Sequence, residues 1–202
     1  MEPDRKKYTF FDFDGTLTRR DSLIGFIIHV HGVAGLLRAL AAAAPAILLW
    51  KAGLRSGDSA KLRLFRAAFR GMSLADFRRA GESYARKIEG ITRTDTVAAL
   101  GHAVRQGEEV AIVSASCGDW IRPWAEGHGV RRVIATEVEV DADGFLTGAF
   151  STPNCRGPEK VRRILAEFPQ LGEDRTHAEV TAFGDSSGDD EMLGFADRGI
   201  RI

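Results

Sequence analysis

Phe10-Phe11-Asp12-Phe13-Asp14-Gly15-Thr16-Leu17-Thr18 sets two carboxylates inside an apolar, aromatic run and then breaks that run with glycine and threonine. A carboxylate among aromatic residues is costly unless it is paired or bound to a cation, and two of them two positions apart also repel each other. On an extended strand, residues i and i+2 share a face, so Asp12 and Asp14 are expected to converge where the strand ends. A hard cation is the natural third partner.

Working outward, Tyr8 to Phe13 reads as a fully buried strand of the kind found in parallel sheets. Further strands of this type are expected at Glu109–Ser114, Arg132–Thr136 and Val180–Gly184, with a last short one near Arg201-Ile202. Helical patterns separate them at Asp95–Gln106 and Trp120–His128. A third helix carries Val161, Ile164, Leu165 and Phe168 on one face and Arg162, Arg163 and Glu167 on the other. This alternation predicts an α/β fold, a doubly wound, Rossmann-like parallel sheet. Between Thr136 and Pro158 the pattern changes to a hairpin, Glu137–Val140 against Phe145–Phe150, with Asp143-Gly144 at its turn. Residues 21–91 contain no comparable strand and read as a helical insertion directly after the paired aspartates.

The 202 residues, 44% hydrophobic, suffice for one ordinary domain or a core with a modest insertion. Twenty-eight basic and 28 acidic residues cancel, which removes any general attraction to nucleic acid or to an anionic membrane and leaves any partner to be read from a local site. Cys117 and Cys155 lie far apart, in no zinc or redox spacing, and the expected setting is reducing and cytoplasmic. His29 and His31 are read as structural or surface residues. Ala39 to Trp50 runs twelve residues without a charge, bracketed by Arg38 and Lys51 and interrupted by Pro45. That is short for a membrane span, so residues 33–50 are expected to form a buried or oligomer-facing helix pair, with contact to a membrane surface as the less favoured reading.

Ligands of open parallel sheets sit beyond the carboxyl ends of the strands. Here those ends are polar: Asp12 and Asp14 after the first strand, Ser114 after the second, and Gly184-Asp185-Ser186-Ser187-Gly188-Asp189-Asp190 after the fourth. Lys160 opens the helix after the hairpin. Each has a plain alternative, since Asp185 or Ser186 could cap a helix beginning near Ser187, and Ser186-x-x-Asp189 resembles a capping box. Taken together, they offer carboxylates for a cation and a hydroxyl and a lysine for an anion, which suits Mg²⁺ with a phosphate.

Asp12-Phe13-Asp14-Gly15-Thr16, Ser114 at the end of Ile112-Val113-Ser114, Lys160, and Gly184-Asp185-Ser186-Ser187-Gly188-Asp189 resemble, in order and spacing, the four motifs of the haloacid dehalogenase superfamily of phosphatases. The helical insertion and the run Asn154-Cys155-Arg156-Gly157-Pro158-Glu159-Lys160 are similar to its phosphoserine phosphatase-like branch. The resemblance implies a catalytic core of residues 1–20 and 92–202 and a helical cap of residues 21–91. It implies a Mg²⁺-dependent phosphatase acting on a small-molecule phosphomonoester through an aspartyl-phosphate, with Asp12 as nucleophile and Asp14 as acid and base. Mg²⁺ would be held by Asp12, the backbone carbonyl of Asp14, Asp185 and Asp189. Ser114 and the adjacent backbone N–H groups, that of Ala115 among them, would hold phosphoryl oxygens, and Lys160 would neutralise charge.

Two departures bear on the substrate. Asp21 stands where phosphoserine phosphatases have a glutamate that reads the substrate amino group, and Phe65, between Arg63 and Arg66, stands near their cap arginine. Ser114-Ala115-Ser116 and the apolar cap look closer to a subgroup with members acting on lipid phosphates. Phosphoserine and a lipid head-group phosphate are therefore both candidate substrates. A phosphotransferase or mutase using the same aspartyl-phosphate, and a non-catalytic phosphate-binding domain, are the alternatives.

Overall fold

The computed structural model describes residues 5–172 and 175–202. Lys6–Phe11 (β1) forms the middle of a five-stranded sheet because both its edges are paired: one with Glu109–Cys117 (β2), the other with Ala178–Gly184 (β6). Arg132–Thr136 (β3) extends the sheet beyond β2, and Arg198–Arg201 (β7) extends it beyond β6, all in parallel. The side-chain alternation of β1 divides the core. Phe10 lies level with Ala111 and Ala182 and packs on Phe168, whereas Phe11 lies level with Ile112 and stacks on Phe183 at 4.5 Å between ring centroids. Helices cover both faces, as the near-continuous apolar strands require. They are Thr94–Arg105 (α4), Gly118–Gly127 (α5), Pro158–Glu167 (α6) and Asp190–Phe195 (α7).

Ser22–Lys51 (α1), Gly57–Phe69 (α2) and Leu74–Ile88 (α3) fill the insertion between β1 and α4 as a helical cap. The chain runs into the cap and back out side by side: Arg93 N–H donates to the Leu17 carbonyl at 2.8 Å, and Arg19 N–H to that of Ile91 at 2.7 Å. An aromatic cluster then ties cap to core. Phe26 lies 4.5 Å from Trp120 of α5 and 5.2 Å from Phe77, all three fully buried. The hairpin of Val138–Val140 (β4) and Leu146–Phe150 (β5) supports the other side, exchanging backbone bonds with Gly71 and Met72 and placing Phe150 against Phe65.

α1 differs from expectation in two respects. Pro45 does not interrupt it; the backbone leaves helical values at Gly32, whose φ of 67° suits glycine, and resumes for the rest of the run. Nor is the second part a buried helix pair. It packs on α2 by one face and exposes the other, with Val33, Leu37, Leu48 and Trp50 all outside the core.

Candidate active site

β1 delivers Asp12 to the carboxyl edge of the sheet, where its N–H donates to the Phe183 carbonyl at 2.9 Å and the residue is 7% exposed. α6 aims Lys160 into the same spot. The ammonium is buried and uses three donors on three acceptors: Asp12 Oδ1 at 2.6 Å, Asp189 Oδ1 at 2.7 Å and the Val113 carbonyl at 2.6 Å. Burial would push it down, but the two carboxylates outweigh burial and hold it above the ordinary lysine value. Asp12 is pushed up to about 6, chiefly by burial and further by the charge of Asp189, against the pull of Lys160. Asp189 goes the other way, because Lys160 and the donors of Ser186 overcome its burial.

The Gly184–Asp189 loop is closed by one carboxylate. Asp189 Oδ2 accepts from Asp185 N–H at 3.2 Å, Ser186 N–H at 3.0 Å and Ser186 Oγ at 3.1 Å. This replaces the expected helix cap: α7 starts only at Asp190, with no side-chain cap, because Asp189 is spent on the loop that precedes the helix. Asp185, half-buried, projects from that loop toward Gly15. A Cβ at Gly15 would collide with the Asp185 carboxylate, and its φ of 86° also demands glycine.

One oxygen from each of Asp12, Asp185 and Asp189 lies within 4.8 Å of the other two. Three carboxylates facing a single ammonium leave an excess of negative charge, and burial with the charge of Asp189 also pushes Asp185 up. An all-oxygen donor set with surplus negative charge fits a hard divalent cation such as Mg²⁺.

Asp14 does not converge on this cluster. β1 ends at Phe11, so strand alternation no longer governs the two aspartates, and the Asp14 carboxylate turns toward the cap. Its Oδ1 accepts from Ser22 N–H at 2.8 Å, and its Oδ2 from Ser22 Oγ at 3.1 Å and Ser116 Oγ at 2.5 Å. Burial, with the nearby charge of Asp21, pushes it up to about 7, against the Ser116 bond. Ser22 is fixed in turn by Trp120 Nε1 at 2.9 Å. Ser114 is buried at the end of the core section of β2 and accepts the Ser116 N–H at 3.0 Å, which leaves its hydroxyl proton free to donate elsewhere.

Asp21 reaches the cavity rim but acts as the N-cap of α1, accepting from Leu23 N–H at 2.8 Å and Ile24 N–H at 3.2 Å. Phe65, near the position of the expected cap arginine, is fully buried among Phe69, Phe77 and Phe150, and Arg63 and Arg66 are exposed. The cation that the cap does bring to the cavity is Lys61, which the helical pattern of α2 puts among its polar residues; Arg156 and Lys160 line it from the core. It donates to the Ala115 carbonyl at 2.5 Å and to Asn154 Oδ1 at 2.7 Å, and burial holds it below the ordinary lysine value. Asn154 Nδ2 donates back to Asp58 of α2 at 2.7 Å, so cap and core are clasped at the mouth. Lys61 and Ser22 carry no local sequence signal, because each reaches the site through packing between distant segments, whereas Ser116 and Asn154 lie in runs that resemble the family without a role being read for them. The cavity, about 350 Å³, runs from Asp12 to Trp50. Cys117 and Cys155 are buried beside it; burial pushes the first thiol far up and the second to about 11.

Lys160 depends on Glu159, which anchors the start of α6. Glu159 accepts from Arg162 and from Arg163 at 2.6–2.7 Å, and Arg163 also holds the Ala135 and Pro153 carbonyls at 2.6 Å. The Arg162 bonds above all, then those of Arg163, hold Glu159 down at about 2. A carboxyl lowered on folding contributes stability that is complete above its unfolded value and lost as the pH falls toward the folded one. Glu159→Gln is therefore expected to melt below the wild type at pH 7, with the gap narrowing between about pH 5 and pH 2 in circular-dichroism melts.

A sequence profile of the haloacid dehalogenase-like hydrolases matches residues 9–194. Protein CicA of Caulobacter vibrioides (strain NA1000 / CB15N) is 33% identical over 197 residues, covering 95% of this chain and 84% of CicA. Among solved structures, a protein of unknown function from Bordetella pertussis Tohama I superposes with a TM-score of 0.78 at 22% identity, over 96% of this chain and 88% of that one. The phospho-aspartyl intermediate analogue of a phosphoserine phosphatase gives 0.63 at 18% identity, over 95% and 84%. The chain belongs to the haloacid dehalogenase-like hydrolases and has the fold of their phosphoserine phosphatase-like branch.

Proposed function

We propose that the protein is a Mg²⁺-dependent phosphatase that hydrolyses a small organic phosphomonoester through an aspartyl-phosphate, with a core of residues 1–20 and 92–202 and a cap of residues 21–91. The observation that carries this reading is the division of labour between two neighbouring aspartates. Asp12 shares Lys160 with Asp189 beside Asp185, while Asp14 is turned away onto two serine hydroxyls and lifted to about 7. One is placed to attack, the other to exchange a proton near neutrality.

Asp12, Asp185 and Asp189, with the Asp14 carbonyl, would hold Mg²⁺, which when bound screens the charge of the phosphate from that of the nucleophile. The Asp12 carboxylate forms a bond to phosphorus as the bond to the leaving oxygen breaks, and Asp14 gives its proton to that oxygen. Asp14 then takes a proton from water, whose oxygen attacks phosphorus and releases Asp12. Ser114, the Ala115 N–H and Lys160 stabilise the charge on the transferring group.

Substrate choice falls to the residues between the phosphate end and the mouth: Asp21, Lys61 and Trp50. Phosphoserine would have to use Asp21 for its amino group and draw Lys61 from its present partners for its carboxylate. A lipid head-group phosphate would need neither and would instead meet Trp50. Phosphate release is measured over a panel containing phosphoserine and phosphatidylglycerophosphate, with Mg²⁺ and with EDTA. The expected result is turnover of at least one phosphomonoester that EDTA abolishes and Mg²⁺ restores. Metal-independent turnover, or none across the panel, would sink the reading. Release of the alcohol without an equal yield of inorganic phosphate when a second alcohol is added would identify a phosphotransferase.

A further inference from the structure

Beyond Gly32, α1 is built inside out. Its most buried positions, against α2, are Gly35, Ala39, Ala43 and Ala46, flanked by the partly buried Leu36, Leu40 and Ile47, whereas Val33, Leu37, Leu48 and Leu49 point away from the protein. Val33 is 62% exposed, Leu37 61%, Leu48 67%, and Leu54, just past the helix end, 72%. Water selects the opposite arrangement, and an exposed apolar patch of this kind marks an interaction surface. The helix is long and apolar enough to cross a membrane, yet only 17% of its most apolar eighteen-residue window is buried.

The charges around the patch identify its partner. No acidic residue lies between Asp21 and Asp58, and three of the exposed apolar residues are followed by a cation: Leu37 by Arg38, Trp50 by Lys51, Leu54 by Arg55. Arg38, Lys51 and Arg55 are exposed, and none makes an ion pair among the described residues. We propose that this face of the cap docks on the surface of an anionic bilayer, its leucines entering the acyl boundary and its three cations lying at the lipid phosphates. The helix lies on the bilayer and does not cross it: Arg38 and Lys51 leave too short an uncharged run, and the inward face is occupied by a polar helix, α2. A second copy of the chain would bring the same three cations against themselves, whereas an anionic surface complements them. Trp50, at the end of the helix beside the patch, is half exposed and lines the cavity, so docking sets the mouth near head-group level. The proposal does not rest on the phosphatase reading, and its test involves no turnover.

The full chain is floated with phosphatidylcholine vesicles and with vesicles containing phosphatidylglycerol, at low and high salt. Binding is expected to the anionic vesicles and to weaken with salt. Arg38→Gln should lower partitioning about fivefold, and Leu37→Glu with Leu48→Glu should abolish it while leaving the far-ultraviolet circular dichroism unchanged. Because Trp120 and Trp124 are buried, a blue shift in tryptophan fluorescence on anionic vesicles reports Trp50 and should vanish in Trp50→Phe. Absence of both flotation and blue shift overturns the proposal. So does a vesicle-independent dimer in sedimentation velocity that the two glutamate substitutions dissociate.

Discussion

Asp12→Asn is expected to abolish hydrolysis, lowering turnover by at least about four orders of magnitude, and to leave no acid-stable phosphoryl group on the protein. The amide keeps the shape of the carboxylate but has no anionic oxygen to form the bond to phosphorus. Folding should survive, because Lys160 retains Asp189 at 2.7 Å and the Val113 carbonyl. The decisive comparison is with Asp14→Asn on an ester such as p-nitrophenyl phosphate, whose leaving group needs no proton. That variant should still form the aspartyl-phosphate, seen as a burst of about one nitrophenolate per protein, and then stall because no base activates water. Loss of the burst in Asp14→Asn, or its persistence in Asp12→Asn, would reverse the two assignments.

Lys160→Met is expected to be the most destabilising single substitution at the site. It removes the shared cation from Asp12 and Asp189, both buried, and strands two like charges. Breaking a buried pair in this way costs about 3–5 kcal/mol, which for a chain of this size lowers Tm by about 6 to 20 °C. Part of that loss should return in the double variant Lys160→Met/Asp189→Asn, where one stranded charge is gone. A double variant no more stable than the single one, in scanning calorimetry, would show that Lys160 acts through packing and not through charge.

The parallel sheet could be read from the chain because β1, β2 and β6 are continuous apolar runs that end in polar residues, as strands covered on both faces and opening onto a ligand must be. The same polar ends made Asp12, Ser114, Lys160, Asp185 and Asp189 stand out, and the fold gathers them at one edge. The direction of Asp14 was not legible: it depends on where β1 stops pairing, which the alternation of residues does not state. Lys61 was hidden for another reason, since on α2 it looks like Arg63 or Arg66 and only the position of Asn154, 93 residues away, singles it out. The outward face of α1 was equally hidden, because an apolar run implies burial in water, and Ala39, Ala43 and Ala46 gave no hint that the small side chains would take the inner face.

The pairing of Leu17 with Arg93, and of Arg19 with Ile91, makes the base of the cap a socket. The whole cap departs from and returns to the same few ångströms, so the sheet beneath does not register how much chain lies between, and lengthening that chain carries only a slowly growing entropic penalty. A different insertion could be grafted at this point without redesigning a single strand. What any graft must supply is an apolar underside in place of Phe26 and Phe77, since without one Trp120 would face water. The architecture thus separates what can be exchanged, the helical module over the cavity mouth, from what must be inherited, the polar cluster at the sheet edge and the aromatic seat on which every such module would rest.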